Sequence, residues 1–192
     1  MAISPNIQLL IEGCRRGNRA SQLKLYEYFY SYGLSITLRY SKNREEALEI
    51  LNDSFLKAFL KIEQYDSDLP FKPWLRRILI NSSIDYHRKY SRLNENLATS
   101  PATELTNASY NYALDNLAFD DLIIVLQKLS PAYRLVFTLY VVEGFKHQEI
   151  AEKLNISVGS SKSNLAKARM KLKSILQSLH GTHYKIRGNG KT

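Results

Sequence analysis

A chain of 192 residues with a single cysteine, Cys14, builds no internal disulfide framework, which suits a reducing compartment. Cys14 itself reads as a half-buried helix residue. The four histidines, His87, His147, His180 and His183, are scattered, so no metal-ligand spacing appears, and they read as surface or helix-end positions. Glycine is sparse, and no glycine-rich loop is present to cradle a phosphate. No nucleophile–base pair or paired-carboxylate site is visible. The expectation is a protein that is not an enzyme, with no cofactor, no metal and no small-molecule substrate. Long apolar runs are missing too. The best stretches, residues 122–126 and 135–142, fall far short of the ~20 residues that span a bilayer. The start of the chain lacks the charged-then-apolar pattern of a signal peptide. The expected location is cytoplasmic, without membrane insertion.

What is abundant is positive charge. There are 27 lysines and arginines against 18 acids, a net charge of +9, with a pI near 9.5. That favours a polyanionic partner, nucleic acid first and an anionic membrane surface second, although lysines also serve solubility alone. Hydrophobic residues make up 44% of the chain, enough for packed cores. Leu9, Leu10, Leu23, Leu25, Phe29, Leu34, Ile36 and Leu38 recur at three- and four-residue intervals, the helical period. A second strong helix is expected near residues 44–61, with Ala47, Leu48, Leu51, Phe55, Ala58 and Phe59 inward. Residues 62–70 carry Asp66, Ser67, Asp68 and Pro70 and read as a loop. Gly13 and Gly17 are expected to flank a polar turn, and Gly33 to kink or end a helix. Between Arg92 and Asn111 apolar residues thin out among asparagines, serines and threonines, the composition of a linker. The fold class is therefore all-α, two small helical domains joined by a flexible linker, the C-terminal one a helix-turn-helix. Expected bounds are 1–92, a linker at 93–113, a second domain at 114–180 and a disordered basic tail at 181–192.

Residues 145–173 carry the helix-turn-helix pattern. Ile150, Ala151 and Leu154 share one face of a short helix. Asn155 suits the left-handed conformation that ends a helix, Ile156 plugs the angle, and Ser157 is a good N-cap. The next helix sets Leu165, Ala168, Leu172, Ile175, Leu176 and Leu179 inward and Lys162, Ser163, Asn164, Lys167, Arg169 and Lys171 outward. Cations on a helix after a tight turn suit the DNA major groove. Two amphipathic helices around a tight turn also occur in bundles that touch no DNA.

A second segment, residues 71–89, places Trp74, Ile78, Asn81 and Asp85 along one helical stripe beside Arg76, Arg77 and Arg88. Aromatic rings and amides near cations can hold unstacked bases, with stacking worth about 1–3 kcal/mol per base. On these residues alone Trp74 serves equally as a core anchor, and a buried Asp85 paired to an arginine would be architectural.

Phe71, Trp74, Leu75, Ile78, Asn81, Asp85, Arg88 and Lys89 together resemble a signature of bacterial sigma factors, in particular the extracytoplasmic-function group. Residues 47–59 are similar to that family's core-polymerase-binding helix. Residues 130–173 resemble its C-terminal domain, through Leu129-Ser130-Pro131, Tyr133-Arg134, Glu143-Gly144-Phe145, Glu149-Ile150-Ala151 and Ser160-Ser161-Lys162-Ser163. The resemblance implies a sigma factor that binds core RNA polymerase and directs it to promoter DNA for transcription initiation. It assigns polymerase docking to Asn52, Asp53, Phe55 and Leu56, with Asn52 standing where the family usually has glutamine. It assigns the melted minus-ten element to Gln64, Tyr65, Asp66, Ser67, Asp68, Trp74, Asn81, Arg88 and Lys89, with a flipped base captured in the loop. It assigns the minus-thirty-five element to Ser160, Lys162, Ser163, Asn164, Ala166, Lys167 and Arg169. The family often carries arginine at several of these last positions, so fewer bidentate guanine contacts and more phosphate and shape reading are expected here. An anti-sigma factor is a further partner implied by family membership only. The alternative is a stand-alone helix-turn-helix regulator, which would bind an operator without polymerase. A helical adaptor indifferent to both DNA and polymerase is the third class.

Overall fold

The computed structural model describes residues 6–96 and 117–188, and every regular element among them is helical. Packing divides the chain into two units, residues 1–86 and 87–192.

The first unit is punctuated by asparagine. Helix α1, Ile7–Arg15, begins where the Asn6 side chain accepts from the Gln8 and Leu9 amides at 3.1 and 3.4 Å. Asn18 accepts from the Ser21 amide at 3.0 Å and opens α2, Arg19–Thr37. Asn43 accepts from the Glu46 amide at 2.9 Å and opens α3, Arg44–Leu60, whose first turn carries Glu45 and Glu46. Each cap satisfies amides that no helical carbonyl reaches, and acids at that end suit the helix dipole. A 3-10 turn, Ile62–Gln64, leads through a loop to α4, Phe71–Asn96, with Pro73 in its first turn. There the missing amide hydrogen costs little.

The core of this unit is Ile11, Leu25, Phe29, Leu34, Ile36, Ile50, Leu51, Phe55, Leu75 and Leu79. Leu9 and Leu23, read as part of the periodic face, are exposed instead. Two glycines act differently from the sequence expectation. Gly13 lies inside α1 and Gly33 inside α2. A Cβ on Gly33 would sit 2.6 Å from Leu51 Cδ1, and one on Gly13 would sit 2.6 Å from Ser21 Cβ. Both glycines therefore permit close helix approach. Gly17, with φ +71°, does make the left-handed turn. Cys14 is buried rather than half-buried, and burial raises its thiol pKa.

The second unit comprises α5, Leu117–Gln127; α6, Pro131–Phe137; a π-helical segment, Thr138–Val142; α7, His147–Leu154; and α8, Val158–Gly188. Leu126, Leu129 and Ala168 form a core cluster flanked by Tyr133, Phe137 and Leu172. Arg134 is buried within this unit. Its Nε donates to the Leu126 carbonyl at 3.2 Å and its Nη2 to those of Gln127 and Leu129 at 3.4 and 2.9 Å. One guanidinium thus gathers three carbonyls at and just past the end of α5, of which that of Leu126 also accepts from the Leu129 amide at 3.0 Å. Ser130 sits at the N-cap position before Pro131, but its side chain makes no capping bond.

Helix α4 continues through Asn96, past the expected domain end at residue 92, and residues 97–113 of the expected linker lie outside the described residues. Helix α8 continues through Gly188, so the tail expected to be disordered from residue 181 is helical as far as that residue. Extending a nucleated helix adds one hydrogen bond per residue fixed, which offsets a weak local sequence.

Candidate nucleic-acid interface

The turn between α7 and α8 is built as its residues dictate. Asn155 ends α7 with φ 54° and ψ 49°, the left-handed conformation. The Ile156 amide returns to the Ala151 carbonyl at 3.1 Å. Ser157 then caps α8, its Oγ accepting from the Ser160 amide at 2.9 Å. Glu149 closes the start of α7 by accepting from the Lys146 amide at 2.7 Å. Ile150, Leu165, Ala168 and Ile175 are buried, which fixes the inner side of the motif. Leu172 is half-buried, Leu176 is exposed, and the Leu179 side chain lies outside those described.

With that side fixed, α8 turns Ser160, Lys162, Ser163, Ala166, Lys167 and Arg169 to solvent, while Asn164 is half-buried. Arg169 is the one guanidinium in this set, and its Cζ lies 5.9 Å from the Tyr140 ring centroid. Ser161, between two exposed positions, is fully buried, and its Oγ lies 2.9 Å from His147 Nδ1. His147 opens α7, one of the helix-end positions expected, and it is half-buried with its ring packed inward. A bond spanning fourteen residues leaves no local sequence signal.

In the first unit the loop after the 3-10 turn is held from two sides. Arg15 Nη2 donates to the Tyr65 carbonyl at 2.7 Å, and Gln8 Nε2 to the Ser67 carbonyl at 3.4 Å. Asp66 Oδ1 accepts from the Asp68 amide at 3.0 Å, and the Tyr65 hydroxyl donates to the Leu69 carbonyl. Gln64, Asp66, Ser67 and Asp68 are exposed, but Tyr65 is buried. Burial raises the Tyr65 phenol pKa and Asp66 adds to the rise, partly opposed by Arg15. Tyr65, Phe71 and Trp74 form a ring cluster with centroids 5.2–5.3 Å apart. A cavity of about 490 Å³ opens beside it, lined among others by Ile11, Phe29, Tyr32, Tyr65, Phe71 and Lys72. Lys72 Nζ sits 4.4 Å from the Tyr32 ring centroid.

Along α4, Trp74 is half-buried, and Asn81, Arg88 and Lys89 are exposed. Asp85 is exposed rather than buried, and it accepts from Lys57 Nζ at 3.3 Å rather than pairing with an arginine. On α3, Asn52, Asp53 and Leu56 face solvent. Phe55 does not. It is core, edge-on to Tyr26 with centroids 4.8 Å apart. Asn52 Oδ1 accepts from the Tyr26 hydroxyl at 2.9 Å, which leaves the amide nitrogen free to face outward. Leu60 is also exposed on this helix, at 76%.

Among the described residues no helix is long and apolar enough to cross a membrane, and no group of three or more His, Cys, Asp or Glu is placed to hold a metal.

A tight-turned helix pair presenting a basic outer face, in a chain that carries a second helical unit, defines a helix-turn-helix DNA-binding protein of two units. Family comparison narrows the class. The model for sigma-70 region 2 matches residues 25–93, and the model for sigma-70 region 4 matches residues 120–172, together well over half of the chain. The chain belongs to the sigma-70 family, as a sigma factor of the ECF (extracytoplasmic-function) type. It is similar to the ECF RNA polymerase sigma factor SigM of Bacillus subtilis, 27% identical over 165 residues that cover 79% of this chain and 93% of SigM. It is 26% identical to SigW of the same organism, over 90% of this chain and 98% of SigW. A solved sigma factor RpoE from Bartonella quintana, in complex with the anti-sigma factor NepR, aligns with a TM-score of 0.47 at 22% identity, over 80% of this chain and 95% of that one. The function of the chain is promoter-specific transcription initiation with RNA polymerase, and the stand-alone regulator is not favoured.

Proposed function

We propose a division of labour within that function. The exposed face of α3, with Asn52, Asp53 and Leu56, docks on core polymerase, and Leu60 extends its apolar part. Gln64, Asp66, Ser67, Asp68, Asn81, Arg88 and Lys89 hold the melted minus-ten strand, with Tyr65 and Trp74 shaping the site from behind. A base leaving the duplex costs a few kcal/mol. The cavity beside Tyr65 and Phe71 is of a size that takes small ligands and offers aromatic walls to offset that cost. Helix α8 reads the minus-thirty-five duplex through Ser160, Lys162, Ser163, Lys167 and Arg169, with phosphate contacts carrying more weight than base edges. The linker expected at 93–113, whose first four residues belong to α4, separates the two readers. The chain catalyses nothing itself and works in the cytoplasm, where polymerase and chromosome are. An anti-sigma factor is a partner suggested by family alone.

The observation that carries this reading is that regions 2 and 4 match in family order, with region 2 beginning and centred in the first unit and region 4 within the second. Co-purification with core polymerase, followed by run-off transcription on mapped promoters, tests it. Failure of the intact chain to bind core would overturn it. A gel shift with the chain alone gives weak or no operator binding if the reading holds.

A further inference from the structure

One buried polar pair joins the two helices of the DNA-reading motif. His147 opens α7, and Ser161 lies one turn into α8. Their side chains meet at 2.9 Å, and Ser161 has no exposed surface. The His147 ring stacks on Tyr140, with centroids 4.5 Å apart and planes 26° apart. Tyr140 belongs to the π-helical segment Thr138–Val142, where the Glu143 amide reaches back five residues to the Thr138 carbonyl at 3.0 Å. Such wide turns reset which face a helix presents, and they recur at functional positions. The ring of Tyr140 in turn lies under Arg169. Three consecutive elements are therefore linked by side chains, and the linkage ends at a cation on the outer face of α8.

The apolar contacts of this motif fix how closely α7 and α8 approach, but apolar attraction has no preferred direction. A hydrogen bond weakens steeply away from linearity. The His147–Ser161 bond thus adds a directional contact to the buried apolar face and sharpens the resistance to rotation of α8 about its own axis.

We propose that His147 and Ser161 are positioning residues for promoter reading. Their bond sets the rotation of α8 so that Lys162, Lys167 and Arg169 meet the duplex together, and Tyr140 holds the imidazole in the plane that aims Nδ1 at Ser161. Neither residue touches DNA. The proposal rests on the reading of α8 as the minus-thirty-five helix.

The test uses holoenzyme assembled with the full chain and measures, by fluorescence anisotropy, the gain in affinity that a minus-thirty-five element gives. His147→Phe keeps a ring on Tyr140 but loses the bond, and Ser161→Ala loses the bond from the other side. Each is expected to cut the gain about fivefold, with the double variant no worse than either single one. His147→Asn offers a side-chain oxygen to the serine and is expected to recover most of the gain. Thermal unfolding, followed by circular dichroism, is measured for each variant. The proposal is overturned if both single variants stay within about twofold of wild type, if His147→Asn does no better than His147→Phe, or if losses merely track lost helicity. A wild-type chain that gains nothing from the element would overturn the reading of α8, and the proposal with it.

Discussion

Arg134 is the residue whose role is least predictable from its type. A guanidinium is usually solvated, and here it is buried on three carbonyls at the end of α5. Replacing it with methionine leaves those carbonyls without that donor, at a cost of about 3 kcal/mol. Urea unfolding followed by circular dichroism should show that loss. Fluorescence of Trp74, the only tryptophan and a member of the first unit, should keep its wild-type midpoint. Asn81 is the opposite case, exposed on α4. Asn81→Ala is expected to change stability by less than about 0.5 kcal/mol. It should slow promoter opening, read by permanganate reactivity, more than it weakens core binding. Equal loss of both would assign Asn81 a structural role. Residue types in the sequence identified Asn155 and Ser157 correctly, because left-handed turns and caps are local chemistry. They did not identify the surroundings of Arg134 or Asp85, which come from other helices.

At the scale of elements, periodicity located the helices, while their ends and inner faces depended on packing. The α3 reading found Ala47, Leu51, Phe55 and Ala58 but missed Ile50 and Ser54, which are also buried. Gly33 looked like a breaker because glycine weakens an isolated helix. Its actual use, admitting Leu51 to the α2 backbone, needs two helices side by side. The outer face of α8 was legible because solvent-facing cations need no partner to be recognised. That face gives a prediction of its own. Lys162→Gln or Lys167→Gln should weaken holoenzyme binding on all promoters alike and reduce the salt slope by about one. Unchanged slopes in titrations from low to moderate salt would remove these lysines from phosphate contact.

For the whole molecule, neither reader is expected to bind tightly alone. Carried by one polymerase, the two sites raise each other's effective concentration, a gain of about 10²–10⁴ when geometry permits both. Spacing is then decisive. Moving the two promoter elements about five base pairs apart turns one half-way round the duplex relative to the other. Holoenzyme affinity should fall nearly as far as on deletion of one element, as measured by competition binding. A tolerance of that insertion would mean that the elements are read independently. The two-unit plan was visible in composition, as apolar patterning that thins out between Arg92 and Asn111. Cys14 has a practical consequence at this scale. The only thiol of the chain is buried on the inner face of α1, with its ionisation suppressed by burial. A cysteine introduced at an exposed site outside the reading set, such as Ser174, would accept a maleimide dye almost alone, so the approach of the reading helix to a promoter can be followed by energy transfer in a chain that keeps every other native residue.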